Sequence, residues 1–352
     1  MAVCGQELHP SDFLMARSVL SPLNAHPCGV VILAEYPDRK FLDHGRDLKE
    51  VYNTMLNEQD YTNSYGAPGS LRDYWSDQSA GKFIPDFYVS DIIELDSAYS
   101  FYGANTKGSD SHAKDMVVEA CQKLDGQIDL AKFDSNNDGF IDFLIVIFAG
   151  HGENDSDFDD ADAIWPHQNY FDKTLLLPHS GLKVSGYLCS PEIMRGQDTT
   201  LAGIGIIAHE MGHMLGLPDT YYTGTGSTSD KYAMGNWDLM DNGNYNNCEW
   251  TPVGLTALER YSLGWIDLPY LEESGDYSLT DIAQSGFAYR ISSGNPEKFI
   301  VLEARMKTKW YSCDKSKGLL VTAVDYNKNS WNSNNLFISY LLTQIFQLNF
   351  KL

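Results

Sequence analysis

The sequence predicts an α/β protein, with a layer of strands and helices followed by a β-rich C-terminal part. Two observations carry this. Apolar strand-like runs, VVILAEY from Val30 and FIDFLIVIFAG from Phe140, alternate with segments whose apolar residues recur at helical spacing. After about residue 270 the pattern changes to short β-like segments, DYSLTDI, FAYRI, KFIVLEAR and GLLVTAVDY, divided by Gly, Asn and Ser.

Residues 1–27 are mixed and turn-rich and carry no predicted element. Val30 opens a buried strand, and Leu48, Val51, Tyr52 and Met55 mark one face of a helix. The stretch GAPGSLRDYWSDQSAGKF reads as turns and leads to a strand near Phe87 to Leu95. Next comes a helix with Ser111 as its potential cap, where Val117, Ala120, Cys121 and Leu124 form an apolar stripe. The stripe makes Cys121 core rather than chemistry. FLIVIFAG, apolar without interruption, is the pattern of a central strand. TGTGSTSD, Thr223 to Asp230, is the clearest loop. The division is 1–27 as an N-terminal segment, 28–269 as the α/β domain, 270–335 as the β-rich part, and 336–352 as an apolar tail. That tail is too short and too interrupted by Thr, Gln and Asn for a membrane span. A buried terminal element, an interfacial helix and a shifted reading frame stay open for it.

Lys plus Arg number 25 against 48 Asp plus Glu, a formal charge of -23. That balance excludes nucleic acid as a partner, because phosphate contacts need cationic side chains. The six cysteines lie far apart with no C-x-x-C pair, so neither a thiolate metal site nor a redox couple is indicated. Nothing in the sequence sets an oligomeric state.

Chemistry concentrates in HEMGHMLGLPD, residues 209–219. With the preceding LAGIGIIA it can form a helix that places His209 and His213 one turn apart on one face, able to grip one zinc ion. Glu210, beside the first ligand, is placed as a general base toward water. Gly216 lets the chain leave the helix sharply, Pro218 forbids continuation, and Asp219 returns a carboxylate as third ligand. Glu249 is a rival for that third position. The bare H-E-x-x-H arises by chance in roughly one chain in a hundred of this size, and requiring Gly216 and Asp219 lowers that to about one in ten thousand.

A second pattern is DSNNDGFID. Asp134, Asn136 and Asp138 alternate oxygen side chains, Gly139 permits a sharp turn, Phe140 offers its carbonyl, and Asp142 falls on the ninth position of a calcium loop. Position twelve is Ile145 and no helix follows, so the competing reading is an Asx-rich turn before a strand. The nearby acidic run at Asp155, Asp157, Asp159, Asp160 and Asp162 favours a cation, although such runs alone are usually solvated loops. His151 and His167 lack helical pairing with another ligand and read as strand-end or cleft-edge residues. Tyr221 and Tyr222 follow the third ligand and serve either an oxyanion or packing.

HEMGHMLGLPD resembles the metzincin-like zinc peptidases, and WDLMD, Trp237 to Asp241, looks like their tight turn carrying a methionine beneath the metal. GSLRDYWSDQSAGKF, FIVLEAR and GLLVTAVD are also similar to segments of one family, the immune inhibitor A type of secreted bacterial metallopeptidase. The resemblance spans roughly residues 28–332. It implies a two-lobe zincin fold with a mixed sheet and an active-site helix, and zinc held by His209, His213 and Asp219. Glu210 would be the catalytic acid/base and Met240 a structural floor. In that reading 28–269 is the zinc peptidase catalytic domain, and 1–27 a propeptide remnant. Asn242 stands two residues after Met240, where some metzincins carry a switch tyrosine. Ala323 stands where GLL-x-x-HVD would have histidine.

The expected function is hydrolysis of peptide bonds in extracellular proteins by a zinc endopeptidase, with protein or peptide substrates as the partners. The rival is a catalytically inactive, calcium-stabilised surface-binding protein, although retention of Glu210 argues against it. Zinc hydrolysis of a non-peptide amide or ester is a third reading. The resemblance implies secretion, whereas MAVCGQELHPSDFLMARSVLS has no uninterrupted apolar stretch and does not read as a signal peptide. The expectation is an extracellular protein whose leader lies outside this sequence, with both ends marking where a longer peptidase was cut.

Overall fold

The computed structural model describes residue 10 and residues 25–106, 109–155, 158, 160–221 and 234–326. The predicted loop at 223–230 and the tail 336–352 lie outside the described residues.

Strand β1 (Cys28–Glu35) is followed by helices α1 (Leu48–Asn57) and α2 (Leu71–Gln78), then by β2 (Asp86–Glu94). Helices α3 (Tyr99–Gly103) and α4 (Ala113–Leu124) lead to β3 (Phe143–Phe148), β4 (His167–Leu176) and β5 (Lys183–Pro191). These strands form one mixed sheet in the order β2-β1-β3-β5-β4. β1, β2, β3 and β5 pair in parallel, and β4 runs antiparallel to β5 at the edge. Both faces are covered, which is why β1 and β3 read as unbroken apolar runs. Val31, Leu33, Ile145 and Ile147 face the layer of α1, α2 and α5 (Gly205–Met214), while Val30, Ile32, Leu144 and Val146 face α4.

Two local expectations change. Ser111 does not cap α4; its hydroxyl donates to the Ala104 carbonyl, and His112 holds the cap position without a side-chain capping bond. The stretch read as turns contains α2. Its start is fixed by a capping box, in which the Ser70 hydroxyl accepts the Asp73 N–H at 3.1 Å and Asp73 accepts the Ser70 N–H at 3.0 Å. Leu71, Tyr74 and Trp75 then bury one side of a helix whose other residues are polar.

After α5 come α6 (Ala257–Ser262), α7 (Ile282–Ser285) and an antiparallel sheet of β6 (Tyr289–Asn295), β7 (Lys298–Arg305) and β8 (Gly318–Asp325) in that order. DYSLTDI forms no strand and ends in α7. Ala323 simply pairs with Ile300 across β8 and β7. Phe299, Val301 and Val324 join the same apolar core as α5 and α6, so the C-terminal sheet buttresses the site. Buried cations bind the parts together. Arg260 donates to Gln78 Oε1 at 2.7 Å, to the Ile282 carbonyl at 3.1 Å and to the Tyr311 hydroxyl at 2.7 Å. Arg305 donates to Glu303 at 2.6 Å and to the Trp237 carbonyl at 2.7 Å, anchoring β7 to the methionine turn. Burying guanidinium groups is tolerable because each is paired. Among the described residues, no helix is long and apolar enough to cross a membrane.

Candidate metal centre

Helix α5 is buried on every side, so its sequence lacks an amphipathic stripe. Its end follows from the residues after it. Gly216 adopts φ +101°, the Gly216 N–H donates to the His213 carbonyl, and the Leu217 N–H donates to the Gly212 carbonyl, both at 2.9 Å. This is a Schellman stop. It returns the Leu217 carbonyl to within 2.8 Å of His213 Nδ1 and carries Asp219 back under the helix.

His209 and His213 are buried, with ring centroids 4.8 Å apart and rings nearly perpendicular at 89°. His209 Nδ1 lies 2.8 Å from the Leu239 carbonyl. With each Nδ1 donating to a carbonyl, each Nε2 is left with its lone pair facing inward. Asp219 Oδ1 lies 3.3 Å from His209 Nε2 and 3.1 Å from His213 Nε2. It is itself buried and makes no aligned hydrogen bond. Ligands about 2.0–2.1 Å from a tetrahedral zinc are separated from one another by roughly 3.3 Å, so this donor set has the spacing of three corners of a zinc site. Among the described residues, the group of three metal-capable side chains with ligand atoms within 4.8 Å of one another is His209, Glu210 and His213. Asp219 approaches both imidazoles closely as well, so the centre contains two imidazoles and two carboxylates.

Charge is balanced within this cluster. Burial opposes protonation of both imidazoles, but the carboxylates of Asp219 and Glu210 outweigh it, holding His209 above its usual range and His213 up to about 9. Burial likewise opposes ionisation of Asp219, yet the two imidazoles hold its carboxyl well below the carboxylate range. Glu210 is pushed upward by burial, with the imidazoles only partly countering it. A divalent cation competes with these imidazole protons.

Met240 lies beneath the helix. A Cβ on Gly212 would fall 2.5 Å from Met240 Sδ, so the absence of a side chain at Gly212 lets the methionine pack directly against the residue before His213. The turn is held by Asp238, which accepts the Met240 N–H at 2.7 Å, and by Asp241, which accepts the N–H groups of Met234 and Gly235 at 2.9 and 2.7 Å. The Thr220 N–H donates to the Met240 carbonyl at 2.8 Å, tying the Asp219 segment to the same turn. Burial and the neighbouring Glu259 carboxyl raise Asp238 well above its usual range.

Other predicted residues lie elsewhere. Glu249 is buried at the N-terminal end of α5, where its carbonyl accepts the Gly205 N–H at 2.9 Å, and it is outside the ligand group. His151 stacks on Phe158 at 3.8 Å and sits 3.3 Å from Asp155. His167 opens the edge strand, with Nε2 3.0 Å from the Tyr187 hydroxyl. Tyr221 stands close enough to Asp219 to feel its charge, and Tyr222 lies outside the described residues. Tyr245 carried no signal in the sequence, yet it stands close enough to Glu210 to feel its charge.

In the second pattern, Asp134 accepts the Asp138 and Gly139 N–H groups, each at 2.9 Å, and Asp138 accepts the Phe140 N–H at 2.9 Å. Asn136 accepts the Asp138 N–H at 3.1 Å, and Gly139 makes the sharp turn at φ +87°. Asp142 is buried and accepts the Cys28 N–H at 3.0 Å, joining the loop to β1. Of the acidic run, Asp155 turns inward to accept the Gly196 N–H at 2.9 Å, and Asp160 pairs with Arg39 at 3.1 Å. Asp157 and Asp159 lie outside the described residues.

The fold and this centre fit a metallopeptidase type of domain, and comparison with known proteins gives the family. The immune inhibitor A peptidase M6 catalytic domain matches residues 30–260, and the chain belongs to that family. The chain is 29% identical over 258 residues to the pre-pro-metalloprotease PrtV of Vibrio cholerae serotype O1 (strain M66-2), covering 61% of this chain and 27% of that protein. It is 28% identical over 259 residues to immune inhibitor A of Bacillus thuringiensis subsp. alesti, covering 61% of this chain and 36% of that protein. The chain therefore spans about a third or less of the length of these relatives. Membership of a metallopeptidase family implies a metal, and the buried two-histidine, two-carboxylate centre has the chemistry to hold one.

Proposed function

We propose that this chain is the catalytic domain of a zinc-dependent endopeptidase acting on extracellular proteins. One observation carries the reading: Asp219 Oδ1 meets two imidazole Nε2 atoms at 3.1–3.3 Å beside Glu210. His209, His213 and Asp219 would hold the zinc, which when bound supplies Lewis-acid polarisation of the scissile carbonyl and acidifies water at the site. Glu210 takes the water proton on its carboxylate and delivers it to the leaving nitrogen. Its position favours this, because its carboxylate lies within 4.8 Å of both imidazoles. Met240 and Gly212 keep the ligand helix at a fixed height. In this two-lobe, metzincin-like reading, the cleft runs between the sheet and the lobe containing the methionine turn. An extended peptide lies along β4, whose outer edge pairs with no strand among the described residues.

The loop 134–142 is proposed as a separate calcium site, through Asp134, Asn136, Asp138, the Phe140 carbonyl and Asp142. The sharp turn at Gly139, the sixth position, supports it. An inactive surface-binding protein is not favoured, since the general base stands beside the ligands. Treatment with 1,10-phenanthroline should stop cleavage of a denatured protein, and added zinc should restore it. Cleavage that persists in the chelator contradicts the proposal.

A further inference from the structure

A cleft of about 700 Å³ opens between β4 and the segment leading into α4, with Asp110, Asp115, Glu153, Trp165, His167 and Tyr187 among its walls. It lies on the α4 face of the sheet, because His167 and Asn169 pair with Cys189 and Tyr187, which face that layer. A peptide extended along the free edge of β4 places every second side chain on this face. His167 opens β4, the strand that also packs against α5, so a peptide along this edge passes both the cleft and the metal centre.

We propose that this cleft is the subsite that selects a lysine or arginine side chain of the peptide substrate. The inference rests on the peptidase reading above and gives it a substrate class. Asp110, Asp115 and Glu153 stand in the wall together with Lys114 and His112; Lys114 lies 3.7 Å from Asp172, His112 Nδ1 lies 2.6 Å from Asp115, and Glu153 accepts from Asn105, so carboxylates outnumber cations there. Asp110 accepts the Trp165 N–H through Oδ2 at 3.1 Å, and its Oδ1 has no hydrogen-bond partner. Burial, with Glu153 adding repulsion, raises the Asp110 carboxyl to about 6. An ammonium or guanidinium group seated beside these carboxylates relieves that repulsion. Trp165, 52% exposed, offers an indole surface for the aliphatic stem of such a side chain and for its charge.

The test uses two fluorescein-labelled extended peptides that differ only by lysine or norleucine at one position, with that position moved along the peptide. Each is titrated into the zinc-loaded full chain carrying Glu210→Gln. At one register, lysine should bind about tenfold more tightly, the scale of a charge-assisted hydrogen bond, and the preference should shrink as salt is raised. Asp110→Asn with Glu153→Gln should bring the ratio to about one. Should Glu210→Gln not fold, the ratio of kcat/KM for the two peptides in the unaltered chain gives the same number. Equal affinities at every register, no binding of either peptide, or a preference surviving the double substitution each overturn the proposal. Cleavage by the unaltered chain reports separately: a lysine preference in binding without zinc-dependent cleavage sinks the peptidase reading and leaves the subsite standing.

Discussion

Replacing Gly205, the first residue of α5, probes how the ligand helix is held. A Cβ at this position would lie 2.0 Å from the Asn244 carbonyl oxygen and 3.1 Å from Glu249 Cα, both backbone atoms that cannot swing aside. The chain must retreat by about 1 Å to restore ordinary contact. Gly205→Ala gains at most about 1 kcal/mol of helix propensity. Against this stand about 1–3 kcal/mol of overpacking and about 0.5–1.5 kcal/mol for the strained bond from the Gly205 N–H to Glu249. The net loss of about 1–3 kcal/mol corresponds to a Tm lower by several degrees in a chain of this size. Because His209 and Glu210 ride on the same helix, kcat/KM should fall by up to about 100-fold, the cost of a misplacement near 1 Å. Scanning calorimetry and peptide cleavage at saturating zinc measure the two effects. A variant within 1 °C and twofold of the parent would refute the claim that this contact positions the helix.

Burial holds the carboxyls of Asp314 and Asp241 up to about 7, well above an unfolded value of about 3.9. The folded chain then binds the extra protons, so the stability these groups contribute is complete below about pH 4 and lost as pH rises through about 7. Tm at constant zinc should fall between about pH 5 and 8, and Asp314→Asn should flatten the fall; a Tm rising across that range in both proteins contradicts it. At the loop 134–142, calcium at 100 times its Kd should stabilise EGTA-treated, zinc-loaded protein by about 2.7 kcal/mol, and Asp138→Asn should remove most of that gain. An unchanged Tm on adding calcium would refute the calcium site.

The sequence disclosed those parts of the molecule whose side chains serve one neighbour. β1 and β3 are covered on both faces and read as unbroken apolar runs. The candidate metal centre was legible because His209, Glu210, His213 and Asp219 all fall within one eleven-residue stretch, 209–219. Helix α2 was hidden because its exposed face is polar and Gly and Pro precede it, while the buried Leu71, Tyr74 and Trp75 gave too short a stripe. Strand β4 was missed as an element because HQNYFDKTLL is half-exposed along an edge and carries little apolar pattern. Tyr245 and the carboxylate cleft left no local trace: Asp110 meets Trp165 only through a hydrogen bond between residues 55 apart. Met240 was readable from WDLMD, but the reason it fits, a glycine at 212, appears only when the turn is seen under the helix.

The most direct test of the account measures bound zinc and cleavage of a denatured protein in parallel, in the parent chain and in Glu210→Ala. The account predicts one zinc per chain in both, with cleavage lowered at least about 100-fold in the variant, the scale of a lost general base. A variant that cleaves at the parent rate, or a parent chain that cleaves without zinc, would contradict it.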